Sequence, residues 1–207
     1  AIGAGTAGES ATVLADRFEG RRFNSPNDLA VRRNGEVYFT DPPYGLEGVD
    51  RSPLREIPFH GVYRVTPAGE VSLLTKEIRF PNGIAFSPAE DILYVAVSDG
   101  AATRVMAYDV RPDGGVANPR VFFNAQPLRA PGVRGGCDGL KVDREGNVWT
   151  TGPGGVLVIS REGRLLGRLN TFEPTANCAW GDDGSTLYIA ANYFLVRVRT
   201  LTKGAGW

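Results

Sequence analysis

One stretch of the chain reads NGIAF at residues 82–86 and, after a short turn, LYVA at residues 93–96. Three further stretches share its pattern of a leading Asn or Asp, a strand, a polar turn and a second strand rich in β-branched and aromatic residues. They are NDLAV and VYFT from Asn27, DGLKV and VWTT from Asp138, and NCAW and LYIA from Asn177. Each stretch is typical of a β-hairpin.

More strands are expected after each hairpin. The first three copies continue with two further apolar runs, at residues 61–65 and 70–74, 104–110 and 120–123, and 156–159 and 165–169, and the fourth continues with one, at residues 194–199. Repeated four-stranded units predict an all-β protein, a β-propeller of four-stranded blades in a single domain over residues 1–207. A β-sandwich is the alternative, but it does not predict the same residue type at the same place in every repeat.

Composition limits the partners and the compartment. The 23 Lys and Arg balance the 23 Asp and Glu, which argues against a nucleic acid or a membrane surface as partner. No run approaches the roughly 20 apolar residues of a membrane span. No signal-peptide pattern is visible in residues 1–8, so the cytoplasm is favoured while the compartment and the oligomeric state stay undecided. Cys137 and Cys178 predict buried free thiols rather than a disulfide framework.

The leading polar residue of each repeat predicts a binding site. The first strand of each blade lines the axis of a propeller, so Asn27, Asn82, Asp138 and Asn177 should converge at one end of that axis. Carboxylate and amide oxygens suit a hard cation such as calcium. His60 is the single histidine, which excludes a zinc site built from several histidines. Asn and Asp before Gly are also common turn residues, so these four could instead only start strands.

The loop after the second strand of the first copy should overhang this end of the axis. Asp41, Tyr44 and Arg51 in that loop are therefore candidate substrate contacts. The alternative for each of the three is a solvated surface position.

Several motifs together resemble the gluconolactonase family, which includes senescence marker protein (regucalcin) and luciferin-regenerating enzyme. The motifs are SPNDL at residues 25–29, YFTDPPYG at 38–45, PNGIAFSP at 81–88, CDGLKVD at 137–143 and TANC at 175–178. The resemblance runs from about residue 12 to residue 199. It implies a six-bladed propeller, of which about four blades are present here, with one divalent cation on the axis and hydrolysis of lactones, often sugar lactones.

Residue by residue, the resemblance implies roles for the leading polar side chains. Asn82 and Asp138 match direct metal ligands, and Asn27 matches an Asn that contacts the metal directly or through water. Asp138 also matches the proposed general base. Calcium is the favoured cation, with zinc, manganese and magnesium as alternatives, and the substrate-binding candidates are Asn27, Asp41, Tyr44 and Asn177.

The chain departs from the family pattern at its start. The family has a glutamate ligand in an N-terminal Glu-Gly-Pro-like motif, and this chain has no such motif, so we expect it to lack the N-terminal blade and part of the second. We predict an arc of four blades, with residues 11–15 as a strand at its leading edge. Pairing of residues 11–15 with residues 194–199 would instead close a four-bladed ring.

The expected function is hydrolysis of a lactone, a small-molecule substrate, by metal-activated water. Asp138 would accept the proton of that water and return it to the leaving alkoxide, while Asn27 and Asn82 orient the substrate. The alternative is a degenerate, non-catalytic propeller that serves as a binding module.

Overall fold

Four antiparallel sheets follow one another along the chain, and each sheet is one blade of a β-propeller. The computed structural model describes residues 12–207. A short hairpin precedes the blades and consists of β1 (Arg17–Phe18) and β2 (Arg21–Arg22). The four blades and the strand order within each agree with the repeats in the sequence.

The strands of each blade run in chain order from the axis outward. Blade 1 contains β3 (Leu29–Val31), β4 (Val37–Asp41), β5 (Gly61–Val65) and β6 (Val71–Thr75). Blade 2 contains β7 (Pro81–Phe86), β8 (Ile92–Val97), β9 (Arg104–Val110) and β10 (Val116–Asn124). Blade 3 contains β11 (Leu140–Val142), β12 (Val148–Gly152), β13 (Gly155–Ile159) and β14 (Leu165–Asn170). Blade 4 contains β15 (Thr175–Gly181), β16 (Thr186–Ala191) and β17 (Phe194–Arg199).

Tight turns join the inner two strands of each blade. Gly35 and Gly146 have φ values of 85° and 86° in the turns of blades 1 and 3. A residue without Cβ adopts this left-handed conformation at little steric cost. Two 3₁₀ turns, Val49–Arg51 and Gln126–Leu128, lie in the longer connections.

The hydrophobic core lies between adjacent blades. Buried side chains from β8 and β9 pack against those from β11–β13 in one cluster that includes Tyr94, Val105, Leu140 and Leu157. Similar clusters join blade 1 to blade 2 and blade 3 to blade 4. Because each middle blade is covered on both faces, its central strands are apolar almost throughout, as in β8 with its five consecutive buried residues from 93 to 97.

Hydrogen bonds join the blades where their inner strands begin. The Gly83 N–H donates to the Asp138 carbonyl at 2.9 Å, and the Gly139 N–H donates to the Ala176 carbonyl at 2.8 Å. Between blades 1 and 2 the Thr40 hydroxyl donates to the Asn82 carbonyl at 2.7 Å. A Cβ at Gly83 would overlap the Asp138 carbonyl oxygen and lie 2.7 Å from the Leu140 nitrogen, so only glycine permits this approach.

The segment ahead of blade 1 differs from the prediction. Residues 12–15 form no strand, and Ala11 lies outside the described residues, so the predicted strand at residues 11–15 is wrong over the part that can be compared. Instead Phe18 and Phe23 pack on Tyr63 with ring centroids 5.3 Å and 5.1 Å away. These aromatic contacts cover blade 1 without adding a strand, because side-chain packing needs no backbone register.

The pairing that would close a four-bladed ring is not present within residues 12–207. There β17 pairs with β16 alone. Phe194 and Leu195 on β17 are 61% and 75% exposed. In the same part of the chain, no helix has the length and apolar character needed to cross a membrane.

We predict that Gly83→Ala strongly destabilises the fold, because the added Cβ collides with the backbone of the next blade. Overpacking of this kind typically costs about 1–3 kcal/mol, and backbone collisions lie at the upper end or above. Urea unfolding followed by circular dichroism measures the change in the free energy of unfolding.

Gly167→Ala in β14 is the matched control, since a Cβ there meets nothing within 4 Å. We expect this variant to unfold at the same urea concentration as the wild type or slightly higher. Equal midpoints for Gly83→Ala and Gly167→Ala would contradict the proposed close approach.

Candidate functional site

Asn82 and Asp138 form the centre of a polar site at the axial end of two neighbouring inner strands. Asn82 lies in β7 and is 5% exposed, and Asp138 lies in the loop that leads into β11. The hydrogen bond from Gly83 to the Asp138 carbonyl holds these two residues side by side. Burial, followed by the nearby Asp28 carboxylate, raises the pKa of Asp138 to about 6, while the Asn82 side chain acts in the opposite direction.

Two buried oxygens at this site lack a hydrogen bond from any residue in the range 12–207. They are Asn82 Oδ1 and Asp28 Oδ2, and of the two only Asp28 Oδ2 has an ion-pair partner there, the Lys141 ammonium at 3.8 Å. Asn82 Nδ2 donates to the Ser98 hydroxyl at 2.9 Å. A buried acceptor without a partner costs about 1–3 kcal/mol, and a hard cation would supply the missing partner. The donor set of amide and carboxylate oxygens therefore fits a cation of the calcium type.

The carboxylates of this site are not part of a larger cluster of titratable metal ligands in the described part of the chain. No three His, Cys, Asp or Glu side chains group together there at metal-binding distance. Cys137 and Cys178 are both buried and unpaired, as the sequence predicted. Burial raises the pKa of these thiols to about 11 and about 12, so both stay protonated at neutral pH.

Asn27 and Asn177 have more solvent-exposed side chains than Asn82 and Asp138. Both are exposed. Asn177 packs against Gly139, and its Oδ1 accepts the Cys178 N–H at 2.8 Å. Asn27 donates its backbone N–H to the Thr40 carbonyl at 2.9 Å. The convergence of all four leading residues on one cation stays a prediction.

Tyr44 reaches the site from the loop that follows β4. Its ring stacks on Phe80 with centroids 5.6 Å apart and an interplanar angle of 17°. Its hydroxyl approaches the side chains of Ser98 and Asn82. The pKa of Tyr44 is raised, mainly by burial and further by the negative charge of Asp138. The contacts with Ser98 and Asn82 act in the opposite direction and lower this pKa. Tyr44 is 38% exposed, so it is open to a ligand as a substrate contact would be.

Asp41 has a different environment from that expected of a substrate contact. Its side chain is fully buried, and its two carboxylate oxygens accept the backbone N–H groups of Asn24 and Ser25 at 2.8 Å and 2.7 Å. Burial raises the pKa of Asp41 to about 6 despite these bonds. Its position supports a structural role, in which it fixes the segment that leads to Asn27. The proposed substrate contact gains no support from this burial.

The loop that carries Tyr44 is anchored at Asp50. The Asp50 carboxylate lies 2.6 Å from His60 Nε2, 3.1 Å from Arg55 Nη1 and 3.0 Å from Arg79 Nη2. His60 Nδ1 accepts the Phe80 N–H at 2.8 Å, so the ring carries its proton on Nε2 and donates it to Asp50.

Burial lowers the pKa of His60, which keeps the ring neutral. The Arg79 guanidinium also lies 5.0 Å from the centre of the Phe80 ring on which Tyr44 stacks. Arg51 is exposed beside this anchor, and its contact with a substrate stays a prediction.

Three residues of the site were not among the candidates from the sequence: Asp28, Ser98 and Arg129. A cavity of about 530 Å³ is lined by Asp138, Ser98 and Arg129 together with Thr175 and Asn192. Asp28 follows Asn27 in the SPNDL motif and could have been included. Ser98 has a weaker signal, a hydroxyl residue at the end of a second strand as at Thr40 and Thr151. No pattern pointed to Arg129.

Comparison with known proteins identifies the relatives of this chain. A family model described as the SMP-30/gluconolactonase/LRE-like region matches residues 2–193. The gluconolactonase of Zymomonas mobilis is 39% identical over 196 residues, which are 93% of this chain and 55% of that protein. The lactonohydrolase oryL of Aspergillus oryzae is 26% identical over 93% of this chain and 48% of that protein.

A solved gluconolactonase structure from Xanthomonas campestris superposes with a TM-score of 0.80 and 35% identity. The match covers 94% of this chain and 63% of that one. The chain therefore spans about half the length of the curated relatives it matches.

We predict that His60→Asn destabilises the protein at pH 8 and that the difference from the wild type narrows on acidification. The folded protein keeps His60 neutral, whereas an unfolded histidine binds a proton below a pH of about 6.5. Acid therefore favours unfolding of the wild type through this group, and the stabilising effect present above pH 6.5 is lost as the pH falls. Asn cannot titrate, although its side-chain oxygen can still accept the Phe80 N–H.

Urea unfolding of both proteins at pH 8, 7, 6 and 5 measures this difference directly. Titrating groups that do not contact His60 are common to the two proteins, so their effects cancel in the comparison. A difference that stays constant or widens toward pH 5 would contradict the neutral, anchored His60.

Proposed function

Because this chain belongs to the SMP-30/gluconolactonase/LRE-like family, we propose that it hydrolyses the ring ester of a lactone, with a divalent cation bound beside Asn82 and Asp138. The observation that carries the proposal is the buried Asn82 Oδ1, which has no hydrogen-bond partner within residues 12–207, next to the half-buried Asp138 carboxylate. The gluconolactonase relatives support a sugar lactone as the substrate class.

Asn82 Oδ1 and the Asp138 carboxylate would hold the cation, with Asn27 as a further ligand directly or through water. Asp28 adds a second negative charge close to Asp138. A set of uncharged amide oxygens and carboxylates favours calcium, and manganese, magnesium or zinc are alternatives. Bound there, the cation would polarise the lactone carbonyl and lower the pKa of a water molecule.

In the proposed reaction, Asp138 transfers the protons, and its neighbours orient the lactone. In the reaction the water oxygen bonds to the carbonyl carbon, the bond from that carbon to the ring oxygen breaks, and the products are a carboxylic acid and an alcohol. The Asp138 carboxylate takes the proton from water and returns it to the departing ring oxygen. A general base of this kind typically contributes about 10²–10⁴-fold to the rate.

The surroundings of Asp138 suit a small polar ring. The cavity of about 530 Å³ has room for a sugar lactone, and Tyr44 borders the site from the overhanging loop. Arg129 lines the same cavity. We propose that Tyr44 and Asn177 contact the hydroxyl groups of the substrate and that Arg129 faces the carboxylate formed on ring opening.

We predict that the protein hydrolyses D-glucono-1,5-lactone when calcium is present and that chelation with EDTA abolishes the activity. In the presence of saturating calcium, Asp138→Asn should lower kcat by about 10²–10⁴-fold, because the amide cannot accept the proton from water. Acid release followed by pH-stat titration, after subtraction of the uncatalysed rate, measures both effects.

Asp109→Asn is the control for the loss of one carboxylate, since Asp109 lies on the outer part of blade 2 and pairs with Arg120 at 2.6 Å. It should keep the wild-type rate. Undiminished turnover of calcium-loaded Asp138→Asn would rule out the assignment of the base. Calcium binding without hydrolysis of any lactone tested would favour the non-catalytic binding module instead.

A further inference from the structure

Ser98 is the residue that links the two central members of the site. It follows β8 directly, and its hydroxyl oxygen accepts the Asn82 Nδ2–H at 2.9 Å. The same hydroxyl donates to the Cys137 carbonyl at 2.5 Å. Cys137 immediately precedes Asp138, so one side chain contacts the amide of Asn82 and the backbone that carries Asp138.

The hydrogen-bonding capacity of a hydroxyl makes this arrangement directional. A serine has one proton to donate, and a backbone carbonyl can only accept, so that proton is committed to Cys137. The hydroxyl can then only accept from Asn82, which must present its NH₂ group to Ser98. The opposite amide orientation would bring Asn82 Oδ1 against the Ser98 oxygen with no proton between them.

The orientation of the Asn82 amide determines which atom remains for a ligand. With Nδ2 hydrogen-bonded to Ser98, the free atom is Oδ1, which is the buried oxygen that lacks a hydrogen-bond partner within residues 12–207. Only the oxygen of an amide can coordinate a cation. Without Ser98 the two orientations would differ less in energy, and part of the population would offer an NH₂ group to the cation.

We propose that Ser98 is a positioning residue that orients the Asn82 amide so that Oδ1 faces a bound cation. This inference rests on the proposed cation site and adds to it the group that sets the geometry of one ligand. Outer hydrogen-bond partners of this kind typically change metal affinity by about 10–100-fold when they are removed.

The other hydroxyl residues at the ends of second strands have different contacts. Thr40 donates to the Asn82 backbone carbonyl at 2.7 Å, and Thr151 accepts the Asp138 N–H at 2.9 Å. Both bond to backbone groups, so they hold the inner strands rather than a ligand side chain. Ser98 differs because it contacts the side chain of a proposed ligand.

The test compares Ser98→Thr with Ser98→Val, two side chains of the same shape of which only threonine has a hydroxyl. Calcium binding to the whole chain is measured by isothermal titration calorimetry. We expect Ser98→Thr to bind within about threefold of the wild type and Ser98→Val to bind about 10–100-fold more weakly. Ser98→Ala, which adds no bulk, should match Ser98→Val and decides the outcome if the valine variant does not fold.

Thr186→Val is the control for loss of a buried hydroxyl elsewhere. Thr186 is 2% exposed in blade 4, and its hydroxyl has no hydrogen-bond partner among residues 12–207. Its removal should leave calcium affinity unchanged. Far-ultraviolet circular dichroism and the melting temperature confirm that each variant is folded.

A second measurement detects the amide orientation without metal. The side-chain ¹⁵N–¹H resonances of Asn82, assigned by their loss in Asn82→Asp, should keep their shifts in Ser98→Thr and move in Ser98→Val. Wild-type protein that binds no divalent cation would overturn the proposed function and this inference with it. Wild-type affinity in both Ser98→Val and Ser98→Ala would overturn this inference alone and leave the cation site standing.

Discussion

The hydrogen bond from the Gly83 N–H to the Asp138 carbonyl, together with its counterpart from Gly139 to Ala176, joins successive blades where their inner strands begin. These bonds require backbone-to-backbone contact, which a Cβ at Gly83 or Gly139 would prevent. The apolar clusters between the blades stabilise their packing, but clusters of aliphatic side chains tolerate small shifts. The backbone bonds do not, and they therefore set the separation of the polar residues beside them.

The site combines close packing with incomplete hydrogen bonding. Asn82 Oδ1 is buried without a hydrogen-bond partner among the described residues, although buried acceptors in folded proteins are almost always paired. Burial also raises the pKa of Asp138. Such a cost is typical of a site that is completed by a ligand, and an oxygen-rich site is completed best by a hard cation.

The loop that overhangs this site is held by charges rather than by apolar packing alone. The Asp50 carboxylate forms hydrogen bonds and ion pairs with His60, Arg55 and Arg79. The Phe80 ring, on which Tyr44 stacks, connects these contacts to Tyr44. The position of Tyr44 beside Ser98 and Asn82 is thus fixed by interactions on blade 1 and the start of blade 2. Arg129, which lines the cavity beside Asp138, comes from the long connection between blades 2 and 3.

The sequence by itself determined the four blades, because a strand with alternating faces and its turn are local patterns that repeat visibly along the chain. It also singled out Asn82 and Asp138 as candidate ligands, because they occupy the same place in their repeats, and that role stays a prediction. Only the tertiary structure decided that Asp41 is buried against backbone N–H groups and that residues 12–15 form no strand. It likewise brought Ser98 into contact with Asn82 and Asp28 close to Asp138. Contacts of this kind depend on which blades approach each other and how closely, and no local sequence pattern encodes that distance.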